Sequence, residues 1–324
     1  MLNLIYTVLL LCPSNTKVSL AFHVYYAFCL RHSNQISIVD VMRRIRRFAT
    51  NDYEERIAKF MEQDTCGKTV LHHAASQSQE QVEAILTSLE TGCPAILDLL
   101  RAKDTERRTV FHYASTNKDT AVLAYLLESV ECVENTSNYD ELCEILNIQD
   151  NEGKTVLHYA SKLGLVHVQV VLESFKTGCP EKLKLLKHQD KHGATAFHSA
   201  FENTEERNTR RRRNKRQTAG IIVINYKPKK TVMAYLLKSV GCGENVSNYD
   251  EFCKILNTQD NEGKTALHYA AERGLDYVTV LLKSFNPGCP QKLKLLKERN
   301  KWNETACHIA ARQWSPETLE YLFM

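Results

Sequence analysis

None of the eleven cysteines falls in a Cys-x-x-Cys pair, so the commonest zinc and redox signatures are missing. No apolar run reaches the roughly 18 residues of a membrane-spanning helix. Leu2 to Leu11 and Val18 to Leu30 both stop short of it. No Lys or Arg precedes the first run and no small-x-small site follows it, which argues against a secretory leader. The Gly-Lys-Thr triplets at Gly67, Gly153 and Gly263 lack the glycine that a phosphate loop needs five residues earlier, where Glu62, Ile148 and Thr258 stand. A nucleophile elbow, a zinc-protease helix and a dinucleotide fingerprint are also absent. The sequence therefore predicts no catalytic residue, no metal ligand and no cofactor. Only Ile221 to Ile224 reads as a strand, so the expected fold class is all-α.

The chain also has little net charge outside one segment. Of the formal +4, residues Glu202 to Lys230 carry +7 and the rest −3. The sharpest part is Arg210 to Arg216, RRRRNKR, which has the composition of a disordered loop insertion and, as the alternative, of an import signal or polyanion site. The mildly acidic remainder offers no nucleic-acid groove.

What is present is a repeat. NEGKTVLHYA (Asn151 to Ala160) returns as NEGKTALHYA (Asn261 to Ala270), and looser copies occur around Thr69, Thr109, Thr195 and Thr305. All six copies place a His three residues after the Thr: Thr69–His72, Thr109–His112, Thr155–His158, Thr195–His198, Thr265–His268 and Thr305–His308. Such a Thr can N-cap a helix, and a motif met six times is a building unit rather than an active site. The threonines are spaced 40, 46, 40, 70 and 40 residues apart, so pairs of units recur every 86 residues. The long step contains 24 extra residues near 204–228, between the first and second predicted helices of the fourth unit. Within one unit the pattern predicts helices from Thr155 to Leu163, from Leu165 to Phe175 and, after Gly178, from Pro180 to Leu186. The longer units hold SNYDELCEILN (137–147) and SNYDEFCKILN (247–257), with Asn138 or Asp140 as the expected cap of the first.

Leu146 to Ser174, LNIQDNEGKTVLHYASKLGLVHVQVVLES, resembles the ankyrin repeat at Asn147, Asp150, Gly153, Thr155, Leu157, His158, Ala160 and Gly164. The resemblance covers residues 60 to 324. It implies a solenoid of helical pairs, with the motif His bonded to the Thr hydroxyl and nearby backbone. The departures are the family Pro, replaced by Val156 and Ala266, and the motif Gly, replaced by Arg107 and Asn303. Units longer than the family's roughly 33 residues imply a short helix and loop between pairs.

From this follows an expected layout: a poorly matched segment at 1–37, a degenerate capping repeat at 38–65 and a repeat domain at 66–324. The last unit is expected to end before a capping helix can form. The expected function is a protein–protein interaction scaffold. The contact positions implied by the family are Gln149, Asn151, Glu152, Lys154, Lys162 and Leu163, and one duplication later Gln259, Asn261, Glu262, Lys264, Glu272 and Arg273. Two other readings stand beside it: a regulatory arm of a larger channel or signalling polypeptide, and a nuclear factor using the basic run. The expected partners are proteins, with no nucleic acid and no membrane span. The expected protein is a monomer in the cytoplasm, with the nucleus as the alternative. The cysteines repeat with the unit, and equivalent positions of a solenoid lie too far apart for a disulfide, so reduced, half-buried thiols are expected. His188 and His192 have a metal-like spacing, but Asp190 and Gly193 put them in a turn.

Overall fold

A computed structural model describes residues 53–89, 94–131, 137–176, 179–201, 230–239, 246–286 and 288–323. The 1–37 segment, the start of the 38–65 capping repeat, the 204–228 insertion with its basic run and Ile221–Ile224 strand, and the Gly178 stop all lie outside these residues. Among the described residues there are eighteen helices and no strand.

Five of the six units open with an Asp, and the sixth with an Asn, that folds a tight loop onto itself. In the third unit one Asp150 carboxylate oxygen accepts the N–H groups of Glu152 (2.9 Å) and Lys154 (2.8 Å). Asp64, Asp104, Asp190 and Asp260 do the same in their loops, and Asn300 does so with its side-chain carbonyl. This local bonding favours a turn over continued helix. The turn demands a left-handed residue three places on, at Gly67, Gly153, Gly193 and Gly263, with φ between 71° and 74°.

Arg107 and Asn303 take the same conformation at φ 58° and 63°. Asn tolerates it, but Arg does not do so without strain. Arg107→Gly is therefore expected to stabilise the protein by about 1 kcal/mol. A raised denaturant midpoint would show it; a lowered one would mean that the Arg side chain contributes more than its backbone costs.

After the loop, the motif Thr caps the first helix. The first helices are α2 (Val70–Ala75), α5 (Val110–Ala114), α8 (Val156–Leu163), α11 (Ala196–Ser199), α14 (Ala266–Arg273) and α17 (Ala306–Arg312). The second helices are α3 (Gln79–Leu86), α6 (Thr120–Glu131), α9 (Leu165–Glu173), α12 (Lys230–Ser239), α15 (Leu275–Lys283) and α18 (Pro316–Phe323). The connecting helices are α1 (Tyr53–Met61), α4 (Pro94–Arg101), α7 (Ser137–Leu146), α10 (Pro180–Lys187), α13 (Val246–Leu256) and α16 (Pro290–Lys297). First helices stack on first helices and second on second along the chain. Connecting helices pack in pairs, α1 with α4, α7 with α10 and α13 with α16, which is the structural form of the 86-residue period.

A continuous apolar core runs through these stacks, with Leu71, Phe111, Leu157, Phe197 and Leu267 fully buried at the equivalent first-helix position and Ile309 fully buried in the sixth. Burial of that kind supplies most of a helical pair's stability. α12 packs between α9 and α15, so Val232, Leu236 and Leu237 resume the core pattern across the long fourth unit.

Three expectations are corrected. α7 starts at Ser137, so Asn138 and Asp140 lie inside its first turn and do not cap it. Ser174 closes α9 before Phe175. The sixth unit does form a second helix, α18, which packs on α15 and α17.

Candidate functional site

The motif His is built into the junction between units. In the third unit His158 Nδ1 accepts the Thr155 N–H at 3.1 Å and lies 2.9 Å from the Thr155 hydroxyl. With Nδ1 accepting, the ring proton sits on Nε2, which donates to the Ala194 carbonyl of the next unit at 3.0 Å. The same donation runs from His72 to Arg108, His112 to Lys154, His198 to Lys264 and His268 to Glu304, at 3.1–3.2 Å. His308, at the exposed end face, keeps only the Thr305 contacts among the described residues.

A second bond spans each junction at the loop tip, where the backbone N–H of Thr105, Asn151, Lys191, Asn261 or Lys301 donates to the preceding tip at 2.7–3.0 Å. Tyr113, Tyr159 and Tyr269 complete the network. Each donates to the other carboxylate oxygen of its own loop Asp at 2.6–2.7 Å, and each stands edge-on to the preceding unit's His.

Electrostatics follow from this packing. Burial pushes His72, His112 and His158 down to about 4, and lowers His268 as well. Burial also works against ionisation of Asp104, but the Tyr113 and Arg108 donors outweigh it and hold its carboxyl below the usual range. These groups are held in fixed protonation states and saturated with partners, which suits a brace and not a proton-transfer centre.

The residues expected to contact a partner divide into two sets. Gln149 donates to Gly153 and Gln189, Asn151 to Thr105, Gln259 to Arg299 and Glu298, Asn261 to Lys191, and Arg273 to Phe201. Those side chains tie neighbouring units together, a role that sequence spacing does not reveal. Glu152, Lys154, Lys162, Leu163, Glu262, Lys264 and Glu272 remain partly or fully accessible. Their charges meet across tips, Glu152 with Lys191 at 3.5 Å and Glu262 with Lys301 at 2.9 Å. Pairs this exposed contribute little to stability.

An open groove of about 820 Å³ lies along the second to fourth tips, lined by Lys103, Glu106, Arg107, Asn151, Glu152 and Lys191 among others. A second hollow of about 520 Å³ continues from Gln149 along Leu183, Lys184 and Lys187 of α10. Trp302 adds an accessible aromatic at the sixth tip, with Lys301 and Lys264 ammonium groups 4.4 Å and 5.4 Å from its ring. Sequence reading passed over Trp302 because the family motif has no aromatic there; one of two tryptophans standing in a tip was the available signal. His188, the other half of the metal-like spacing, donates to the Asn147 side chain at 3.1 Å.

Residues 247–324 match the family model described as ankyrin repeats (3 copies). The four units before them have the same loop, the same cap and the same His bridge. Residues 247–324 are ankyrin repeats. Ankyrin repeats serve generally in protein–protein interaction, and their fold is not a catalytic one. Among solved structures, an ankyrin repeat domain from Acinetobacter baumannii AYE is 20% identical, with a TM-score of 0.48, over 78% of this chain and 95% of its own. A chain in the complex of a predatory endopeptidase from Bdellovibrio bacteriovorus with an immunity protein is 19% identical, with a TM-score of 0.45, over 81% and 98%. No curated protein sequence matches the chain. No described helix is long and apolar enough to cross a membrane.

Proposed function

We propose that this ankyrin solenoid is a scaffold that binds a protein partner along its loop tips and the adjoining face of α10. The observation carrying the reading is the row of braced tips. Their backbones are fixed by two bonds per junction, and their outer side chains remain accessible around an open groove. A surface held in place before binding loses little conformational entropy on contact. The contacts come from Glu152, Lys154, Lys162, Leu163, Glu262, Lys264 and Glu272, joined by Arg107, Lys191 and Trp302. Gln149, Asn151, Gln259, Asn261 and Arg273 act beneath them by fixing tip positions. Mixed charge around one aromatic suits a partner with both acidic and basic side chains and an apolar anchor. We infer no catalytic step. Residues 66–324 are proposed as the binding domain, with the 204–228 run as an insertion in it and 38–65 as its cap.

The test is charge reversal on the tips. Glu152→Lys, Glu262→Lys and Trp302→Ala, combined in the full chain, are expected to keep the helical circular-dichroism spectrum and lose the partners captured by the parent from its own cell extract. Capture of an unchanged set by the folded triple variant would place the binding surface elsewhere.

A further inference from the structure

Two thiol pairs stand outside the brace and the tip surface. Cys143 on α7 and Cys179 at the start of α10 hold their sulfurs 3.8 Å apart. One duplication later, Cys253 on α13 and Cys289 at the start of α16 hold theirs 3.9 Å apart. The expectation that equivalent cysteines lie too far apart for a disulfide did not consider this contact. It compared equivalent positions of successive units, whereas these pairs join non-equivalent positions on the paired connecting helices.

We propose that Cys143–Cys179 and Cys253–Cys289 are reversible disulfide sites, closed by a peroxide and reopened by a thiol reductant. Each separation exceeds a bonded sulfur pair, about 2.05 Å, by less than the travel that a rotamer adjustment provides. None of the four cysteines is in a disulfide here. The duplication supplies its own comparison. In the preceding 86-residue unit Ile57 occupies the position of Cys143, so only two of the three connecting-helix pairs carry the second sulfur.

Within each pair the two sulfurs have different surroundings. Cys143 and Cys253 are buried at 1% and 0% exposure, while Cys179 is half-buried and Cys289 reaches 9%. Cys179 and Cys289 precede the Pro at the first position of α10 and α16, at the N-terminal ends of those helices. For Cys289, burial opposes ionisation. The Tyr249 hydroxyl, the N–H groups of Lys292 and Gln291 and the Cys253 thiol outweigh it and hold the group below the ordinary thiol range. Burial pushes Cys253 the other way. The less deeply buried sulfur at the helix start is therefore the attacking one and the more deeply buried sulfur the resolving one.

The step balances with hydrogen peroxide as the oxidant. The Cys289 thiolate attacks one peroxide oxygen, the O–O bond breaks, and hydroxide leaves a sulfenic acid on Cys289. The Cys253 sulfur then attacks the Cys289 sulfur, and the sulfenic oxygen departs as water with the Cys253 proton. Two thiols lose two electrons and one peroxide gives two waters, once the hydroxide takes the proton that the first thiol released. Cys179 and Cys143 follow the same course. Each bond ties a connecting helix to its neighbour across 36 residues of chain.

The experiment uses the full chain, fully reduced, treated with two equivalents of hydrogen peroxide per chain, alkylated and digested for mass spectrometry. The expected result is two linked peptides, Cys143 with Cys179 and Cys253 with Cys289. Both should disappear on dithiothreitol, with a thermal midpoint that rises on oxidation and falls back on reduction. Cys143→Ala and Cys253→Ala are expected to leave sulfenic acid on Cys179 and Cys289, trapped by dimedone. A pair that remains alkylatable while the exposed Cys66 is oxidised is removed from the proposal. Links in similar yield among unrelated cysteines overturn it for both.

Discussion

Acidifying the protein from about pH 6.5 to about pH 5 is expected to lower its urea midpoint steeply, before its carboxylates titrate. The ordinary histidine value is 6.5, and burial takes His72, His112 and His158 down to about 4 in the folded chain. The unfolded chain therefore binds more protons than the folded one across that interval. Stability from these residues is fully present above the unfolded value and is lost as pH falls toward the folded one. Each such His contributes a slope of up to about 1.4 kcal/mol per pH unit. Protonation at Nδ1 also removes the acceptor for the Thr N–H, leaving a buried donor without its partner. Asp104, whose carboxyl is held low, loses its contribution only below the ordinary carboxylate value of 3.8, so the two windows separate. A midpoint that stays flat between pH 7 and pH 4.5 would contradict the neutral, buried state assigned to these rings.

Gly153→Ala is expected to cost about 3 kcal/mol, combining left-handed strain with a collision. A Cβ there would lie 3.0 Å from the Asp190 Cα and 3.0 Å from the Lys191 nitrogen, both backbone atoms of the next tip. Gly288→Ala provides the comparison. Its φ of 76° imposes the same strain, yet nothing lies within 4 Å of the added carbon, so about 1 kcal/mol is expected. Denaturant midpoints of the two variants separate the terms. Equal losses would mean that the tips do not pack as described and that only the turn conformation matters.

Much of this architecture is legible in the residues because each unit is set by short-range chemistry. Asp150, Gly153, Thr155 and His158 lie within one turn and cap, and their spacing announces both. Gly164 and Pro180 bound α9 and α10 for equally local reasons. What was not legible depends on the stacking between units. Gln149, Asn151 and Asn261 look like solvent-facing polar residues until the neighbouring tip offers carbonyls 40, 46 and 70 residues away. The Cys143–Cys179 contact likewise requires knowing that α7 pairs with α10 rather than with its own counterpart α13. Trp302 stands where no family position draws the eye, and only its exposure marks it.

The central claim is that the Thr–His motif braces the solenoid while the tips carry the binding. His158→Ala, measured in parallel for urea unfolding and for partner capture below its own transition, tests that division most directly. The account predicts a loss of about 1–3 kcal/mol in stability, from the severed bridge to Ala194, with capture retained. An unchanged urea midpoint together with lost capture would contradict it, because His158 would then act in binding and not in holding the repeats together.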